Sequence, residues 1–187
     1  MATKIAFVPF DDQEIRDMAQ AVVDNFDRTT RFARMFRDKF DVRLRVYSAT
    51  TPTPLKDVAQ SAQVYIFGHG EAQAAHISGG NGMNMLTMPE LAARLEEAGL
   101  KKDHKLVKLH ACRGGEGGSG SMAYRLWDAM KTEGYNGVKV CGYHKYLASY
   151  VDESGNKLGA DLQFDASGQI TDVSNETRQK DLRVCWP

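Results

Sequence analysis

The residues best suited to chemistry are a cysteine and a histidine, each placed just after a short apolar run. Residues 105–121 read KLVKLHACRGGEGGSGS. Leu106, Val107 and Leu109 mark a buried strand, Ala111-Cys112 ends it, and the glycines turn the chain toward a helix, MAYRLWDAM. Upstream, residues 62–70, AQVYIFGHG, form a second apolar run closed by Gly68-His69-Gly70. A thiol attacks as thiolate, and a free cysteine with a pKa of about 8.5 is mostly protonated at neutral pH, so it needs a base. His69 is the expected base: it takes the Cys112 proton and later gives it to a leaving group. A helix directly after the turn would favour the thiolate through its N-terminal dipole. The N–H groups of Gly70 and Cys112 are the expected oxyanion donors. Gly114, Gly115, Gly117 and Gly118 let the chain turn away and leave the sulfur accessible.

These two positions require neighbouring strands whose carboxyl ends share one edge of a sheet, the edge where open α/β sheets hold their ligands. The rest of the chain supplies such a frame. Lys4 to Phe10 is an apolar strand, and Asp11-Asp12 start a helix. Helical spacing continues through Ile15, Met18, Val22 and Phe26 to about Phe40, with Asp27 to Thr30 as a point of interruption. Arg28, Arg31, Arg34, Arg37 and Lys39 recur at three- and four-residue intervals, read as a solvated helix face or, more sharply, as a docking face for an anionic partner. Asp41 to Tyr47 alternates as a half-buried strand, TTPTP is a loop, and Leu55 to Ser61 is a short helix. Glu71 to Leu86 is a long Gly- and Asn-rich loop, and connections of that length are usually functional or mobile. Thr87 and Glu90 form a capping box for a helix that runs to Gly99. After the cysteine strand come a helix from about Gly120 to Glu133 and a buried strand, Val138 to Tyr143. Turn signals at Ser154-Gly155-Asn156 and Ser167-Gly168 then predict hairpins, and RQKDLRVCWP adds a last strand. This order predicts a single domain over residues 1–187, an α/β three-layer α/β/α sandwich with a mainly parallel sheet and C-terminal hairpin additions.

Composition narrows the function. The 187 residues are 42% hydrophobic and 26% charged, ordinary for a globular domain with a real core. The formal net charge is zero, so no nucleic-acid partner is expected. No apolar run approaches the roughly 20 residues that span a bilayer, and the N-terminus lacks a signal-peptide layout. Three cysteines, Cys112, Cys141 and Cys185, make neither a disulfide framework nor a zinc motif. The expectation is a reducing, cytoplasmic location with no metal and no organic cofactor; a Cys141–Cys185 bridge stays open.

His-Gly after one apolar strand and Ala-Cys after the next resemble the signature of the caspase-like (clan CD) cysteine peptidases. Gly68-His69-Gly70 is similar to the family's histidine motif and Ala111-Cys112-Arg113-Gly114 to the caspase cysteine motif. The interval, 112 − 69 = 43 residues, suits one loop and one helix. Val140-Cys141-Gly142-Tyr143 is similar to the strand that lines the primary specificity pocket. The resemblance covers about Ala62 to Tyr146. It implies a caspase-like fold and a protein or peptide substrate, and it leaves open whether the chain also cuts itself and whether a small-molecule or protein activator is needed. His110 stands where caspases have glutamine, so their aspartate pocket is not implied. The short chain looks closer to CHAT proteases and to self-processing bacterial toxin or effector peptidases, which would act after delivery into a target-cell cytosol. His144 and Lys145, with His110, are the expected substrate-contacting residues, and a basic pocket would favour an acidic residue before the cut bond.

Other readings remain. By strand alternation His110 shares the sheet face of Cys112 and is a rival base. His76 is solvated or part of a substrate wall, His104 is a surface residue, and Tyr124 and Trp127 pack a helix. GGEGGSGS between strand and helix is also compatible with a phosphate- or nucleotide-binding flavodoxin-like module, although GxxxxGK[ST] is missing. A cysteine phosphatase needs an arginine at a spacing that Arg113 and Arg125 do not provide. An inactive caspase-like scaffold is the third alternative.

Overall fold

A computed structural model describes residues 3–28, 42–80, 82–151 and 157–187. In chain order these form β1 (Lys4–Val8), α1 (Gln13–Arg28), β2 (Val42–Val46), β3 (Gln63–Phe67), β4 (His76–Ser78), β5 (Met85–Thr87), α2 (Met88–Glu97), β6 (Leu106–His110), α3 (Met122–Thr132), β7 (Lys139–Tyr143), β8 (Tyr146–Val151), β9 (Lys157–Phe164), β10 (Ile170–Arg178) and β11 (Arg183–Trp186). The architecture is mixed α/β with a mainly parallel central sheet. Its strand order is β11-β7-β6-β3-β1-β2. Five strands run parallel, and β11 joins the β7 edge antiparallel. A three-stranded antiparallel sheet, β10-β9-β8, and the β4-β5 hairpin complete it.

The central strands are near-continuous apolar runs because both faces of a parallel sheet are covered. Phe7, Val64, Ile66, Val107, Leu109 and Val140 are all fully buried in one core with Leu91, Leu95 and Leu126 of the helices. The helix ends follow the sequence signals. The Asp12 carboxylate accepts the Ile15 N–H at 3.0 Å and caps α1. Thr87 and Glu90 form the capping box of α2. Gly99, at φ +87°, closes that helix: the Gly99 N–H reaches the Glu96 carbonyl and the Leu100 N–H the Leu95 carbonyl, a Schellman ending.

Several expectations change. Leu55 to Ser61 is a run of turns, not a helix, because the Leu55 N–H is taken by the Ala98 carbonyl at 2.8 Å and later amides bond only three residues back. The Glu71 to Leu86 loop contains the β4-β5 hairpin, with Ile77 fully buried. His104 is not a surface residue: it is fully buried, and its Nε2 bonds the Leu106 carbonyl at 3.2 Å. Cys141 and Cys185 stand directly opposite in the β7–β11 register and are joined as a disulfide, the bridge that the sequence left open. Spacing along the chain does not decide the bridge, because it depends on two strands brought edge to edge. Helix α1 continues past Asp27 to Arg28. The basic residues Arg31, Arg34, Arg37 and Lys39, and the turn at Ser154-Gly155-Asn156, lie outside the described residues. Among the described residues no helix is long and apolar enough to cross a membrane.

Candidate active site

Strands β3 and β6 pair in parallel with Phe67 opposite His110. His69 and Cys112 therefore each lie two residues beyond the ends of adjacent strands, on the carboxyl edge where β1 and β3 also mark a reversal of strand order. The two loops touch. A β-carbon on Gly70 would stand 2.8 Å from the Ala111 β-carbon and 3.1 Å from the Cys112 carbonyl oxygen, so only glycine fits. Among the described residues no backbone carbonyl of the loops and turns accepts the Gly70 or Cys112 amide.

His69 is fixed at its backbone and held at its ring. Its N–H donates to the Ser78 carbonyl at 2.8 Å, and the Ser78 N–H returns to the His69 carbonyl at 3.1 Å. Its Nε2 lies 3.1 Å from Oε1 of Glu14, a residue of the first turn of α1. The ring is partly solvent-exposed.

Cys112 is the one free thiol and is partly buried. Residues 111–117 form consecutive turns, with Arg113 at φ +53°. This segment is stitched to the junction between β7 and β8: the Gly115 N–H donates to the Tyr143 carbonyl at 2.8 Å and the Arg113 N–H to the Lys145 carbonyl at 3.0 Å. Gly115 and Gly142 meet back to back, and a β-carbon on Gly142 would fall 2.7 Å from the Gly115 nitrogen. The Leu147 N–H points at the Cys112 sulfur at 3.4 Å. Burial raises the thiol pKa, the Leu147 hydrogen bond pulls it down, and Glu71 raises it again, for a net upward shift. The expected help from a helix dipole is corrected: α3 starts only at Met122, after the whole turn, and such a field fades within one helical turn. The raised pKa favours the protonated thiol at neutral pH.

The expected substrate residues separate. His144 and Lys145 line a cavity of about 540 Å³ with Arg113, Glu116, Tyr146, Asp161 and Leu162. His110 does not join them. It is buried between Phe67, with ring centroids 4.5 Å apart, and Tyr143, at 6.0 Å. Burial and the Lys157 charge hold its pKa well below the usual imidazole value. It is the last residue of β6, and its burial leaves no face for a substrate. Alternation assigned His110 a face of the sheet but could not show that this face is sealed.

The cavity is not a basic pocket. Lys145 Nζ donates to Asp161 at 2.9 Å and to the Asn175 carbonyl at 3.0 Å. Arg113 forks onto Glu116 at 2.7 and 2.8 Å and reaches Glu71 at 2.6 Å. Arg113 in turn holds the Glu116 carboxyl below its ordinary pKa. Each cation meets a carboxylate, so the preference for an acidic substrate residue loses its basis. Beside this cavity, Tyr146, Leu147, Ala148, Ala160, Leu162, Ile170 and Val173 line a smaller apolar one of about 230 Å³. Sequence reasoning missed Glu14, Glu71, Glu116 and Asp161. Only the Glu116 pairing, three residues from Arg113, had a local signal. Among the described residues no group of three or more His, Cys, Asp or Glu side chains is arranged to hold a metal ion.

Residues 41–158 match the model of a family described as a domain of unknown function (DUF8616). The match covers more than half of the chain and includes both His69 and Cys112, and the chain belongs to that family. No curated protein matches the chain.

Proposed function

We propose that the protein is a caspase-like cysteine endopeptidase with a Cys112–His69 dyad. The observation that carries this reading is the parallel β3–β6 pairing, which puts His69 and Cys112 two residues past the ends of adjacent strands, where the Gly70 backbone meets Ala111 and Cys112. A three-layer α/β/α sandwich fits the topology. The strand order steps from β1 to β2 in one direction and from β3 through β6 to β7 in the other; with the usual right-handed crossovers this order would put α1 on one sheet face and α2 and α3 on the opposite one.

The chemistry follows from the raised thiol pKa. With substrate bound, the Cys112 S–H proton passes to the imidazole of His69 as sulfur attacks the scissile carbonyl carbon. The carbonyl oxygen becomes an oxyanion that accepts hydrogen bonds from the Gly70 and Cys112 amides. As the C–N bond breaks, His69 gives its proton to the leaving amine, and a thioester remains. Water then attacks the thioester with His69 as base, which releases the acid and restores the thiol. The Leu147 N–H on the sulfur favours the thiolate as the proton leaves. The Cys141–Cys185 bridge fits passage through an oxidising compartment before delivery to a target-cell cytosol.

The test is a peptide library incubated with wild type and with Cys112→Ala. Cleavage in wild type, with a loss on the order of 10³-fold or more in the variant, supports the dyad. With the cavity charges already compensated, the cleavage logo should show no enrichment of Asp or Glu before the cut bond. A wild type that cleaves nothing, with or without cell extract as a source of activator, would overturn the peptidase reading.

A further inference from the structure

We propose that Glu14 is a positioning residue for His69, and that it fixes which ring nitrogen receives the thiol proton. The inference rests on the endopeptidase reading for its catalytic consequence, but the pair itself is a matter of geometry. A carboxylate only accepts hydrogen bonds, and a neutral imidazole carries a single N–H. With Glu14 Oε1 at 3.1 Å from Nε2, the proton belongs on Nε2 and the lone pair on Nδ1. The Cys112 proton then moves to Nδ1, the Nε2 proton stays in place, and the carboxylate faces the imidazolium that forms.

The pair is assembled by three segments. The Asp12 carboxylate caps α1 through Oδ1 and accepts the Gly80 N–H through Oδ2 at 3.1 Å, which ties the loop after β4 to the start of the helix. Asp12 is buried. That loop lies directly on Glu14: a β-carbon on Gly80 would fall 2.6 Å from the Glu14 β-carbon, and one on Gly79 would fall 2.8 Å from Asp12 Oδ2. One residue earlier, Ser78 holds the His69 backbone in a two-bond bridge. The Gly79-Gly80 step thus sets both partners, and a side chain at Gly80 would push Glu14 off the histidine. Both side chains remain substantially exposed, so the pair does little for stability, and its effect is on orientation and tautomer.

The experiment compares wild type with Glu14→Ala, Glu14→Gln and Glu14→Asp. Exposure of Glu14 makes unfolding an unlikely confounder, and circular dichroism checks it. The first readout needs no activity: ¹H–¹⁵N spectra of the His69 ring. In wild type the Nε2–H signal should be shifted downfield by its carboxylate acceptor; it should move upfield in Glu14→Gln and Glu14→Ala and return in part in Glu14→Asp. The second readout is cleavage of a peptide taken from the library. In Glu14→Ala and Glu14→Gln, kcat should fall about tenfold, with KM changed less than twofold and partial rescue in Glu14→Asp. Ring signals that do not move in Glu14→Ala would overturn the proposal, whatever the protease does. Ring signals that move while no variant, wild type included, cuts any peptide would uphold the pairing and remove the peptidase reading instead. Cleavage by wild type with kcat unchanged in Glu14→Ala would overturn the positioning role.

Discussion

Raising the pH from 7 to 9 should stabilise the protein by about 3 kcal/mol, because two lysines lose protons early in the folded state. Lys108 is buried on the central sheet, where its Nζ donates to Gln63 at 2.7 Å and to the Tyr65 hydroxyl at 2.9 Å. The Lys157 ammonium is buried over the Tyr65 ring at 5.4 Å, although part of its stem reaches solvent. Burial, with repulsion from Arg183 and Lys4, lowers Lys108 to about 8. Burial, with Lys4 and Lys108, lowers Lys157 to about 7. In the unfolded chain both return to 10.5. Between these values the unfolded state binds more protons than the folded one, so stability rises with pH; below the folded values both states are charged and the gain is gone. His110, lowered by burial, extends the loss toward acid as the unfolded imidazole charges below its ordinary pKa. Above pH 10 the trend reverses, since burial raises Tyr65 to about 12 and the unfolded phenol ionises first. Urea midpoints at pH 6, 7, 8 and 9 measure the slope, and Lys157→Met should flatten it. A midpoint constant from pH 7 to 9 in wild type would show that these ammonium groups are not held in a low-dielectric site.

Reduction of the Cys141–Cys185 bridge should cost about 2–4 kcal/mol of stability. The bridge closes 44 residues of chain, a span that includes β8, β9 and β10. It also pins β11, the edge strand, to β7, whose Tyr143 and Gly142 back the turn that carries Cys112. A reductant added to protect the Cys112 thiol would therefore loosen the support beneath it. Urea unfolding with and without reductant gives the cost, and the Cys141→Ala, Cys185→Ala double variant should match the reduced protein. If both unfold at the midpoint of the oxidised wild type, the bridge contributes nothing to stability.

The elements that hold the site were readable because their signals are local. Continuous apolar runs gave β1, β3, β6 and β7, and Thr87, Glu90 and Gly99 gave both ends of α2. Candidate positions His69 and Cys112 were legible from strand-end placement alone. What surrounds them was not, because it is built by contacts between segments far apart in sequence. Glu14 reaches His69 across 55 residues and Tyr146 reaches Glu71 across 75. Asp161 neutralises Lys145 only because β9 folds back beside β8. His110 showed the limit of alternation, which assigns a side chain to a face but does not say whether that face is sealed. The β4-β5 hairpin was hidden by a Gly- and Asn-rich sequence that reads equally well as open loop, and it is the element that positions His69.

Cooperation between the Cys112 thiol and the His69 imidazole is tested most directly by the rate of Cys112 alkylation by iodoacetamide at pH 7. Cys141 and Cys185 are already bonded, so the label reports one sulfur. Because burial leaves that sulfur protonated, base assistance should matter, and His69→Ala should slow labelling by about 10²-fold, the lower range for general base catalysis. Equal labelling rates in wild type and His69→Ala would contradict the dyad.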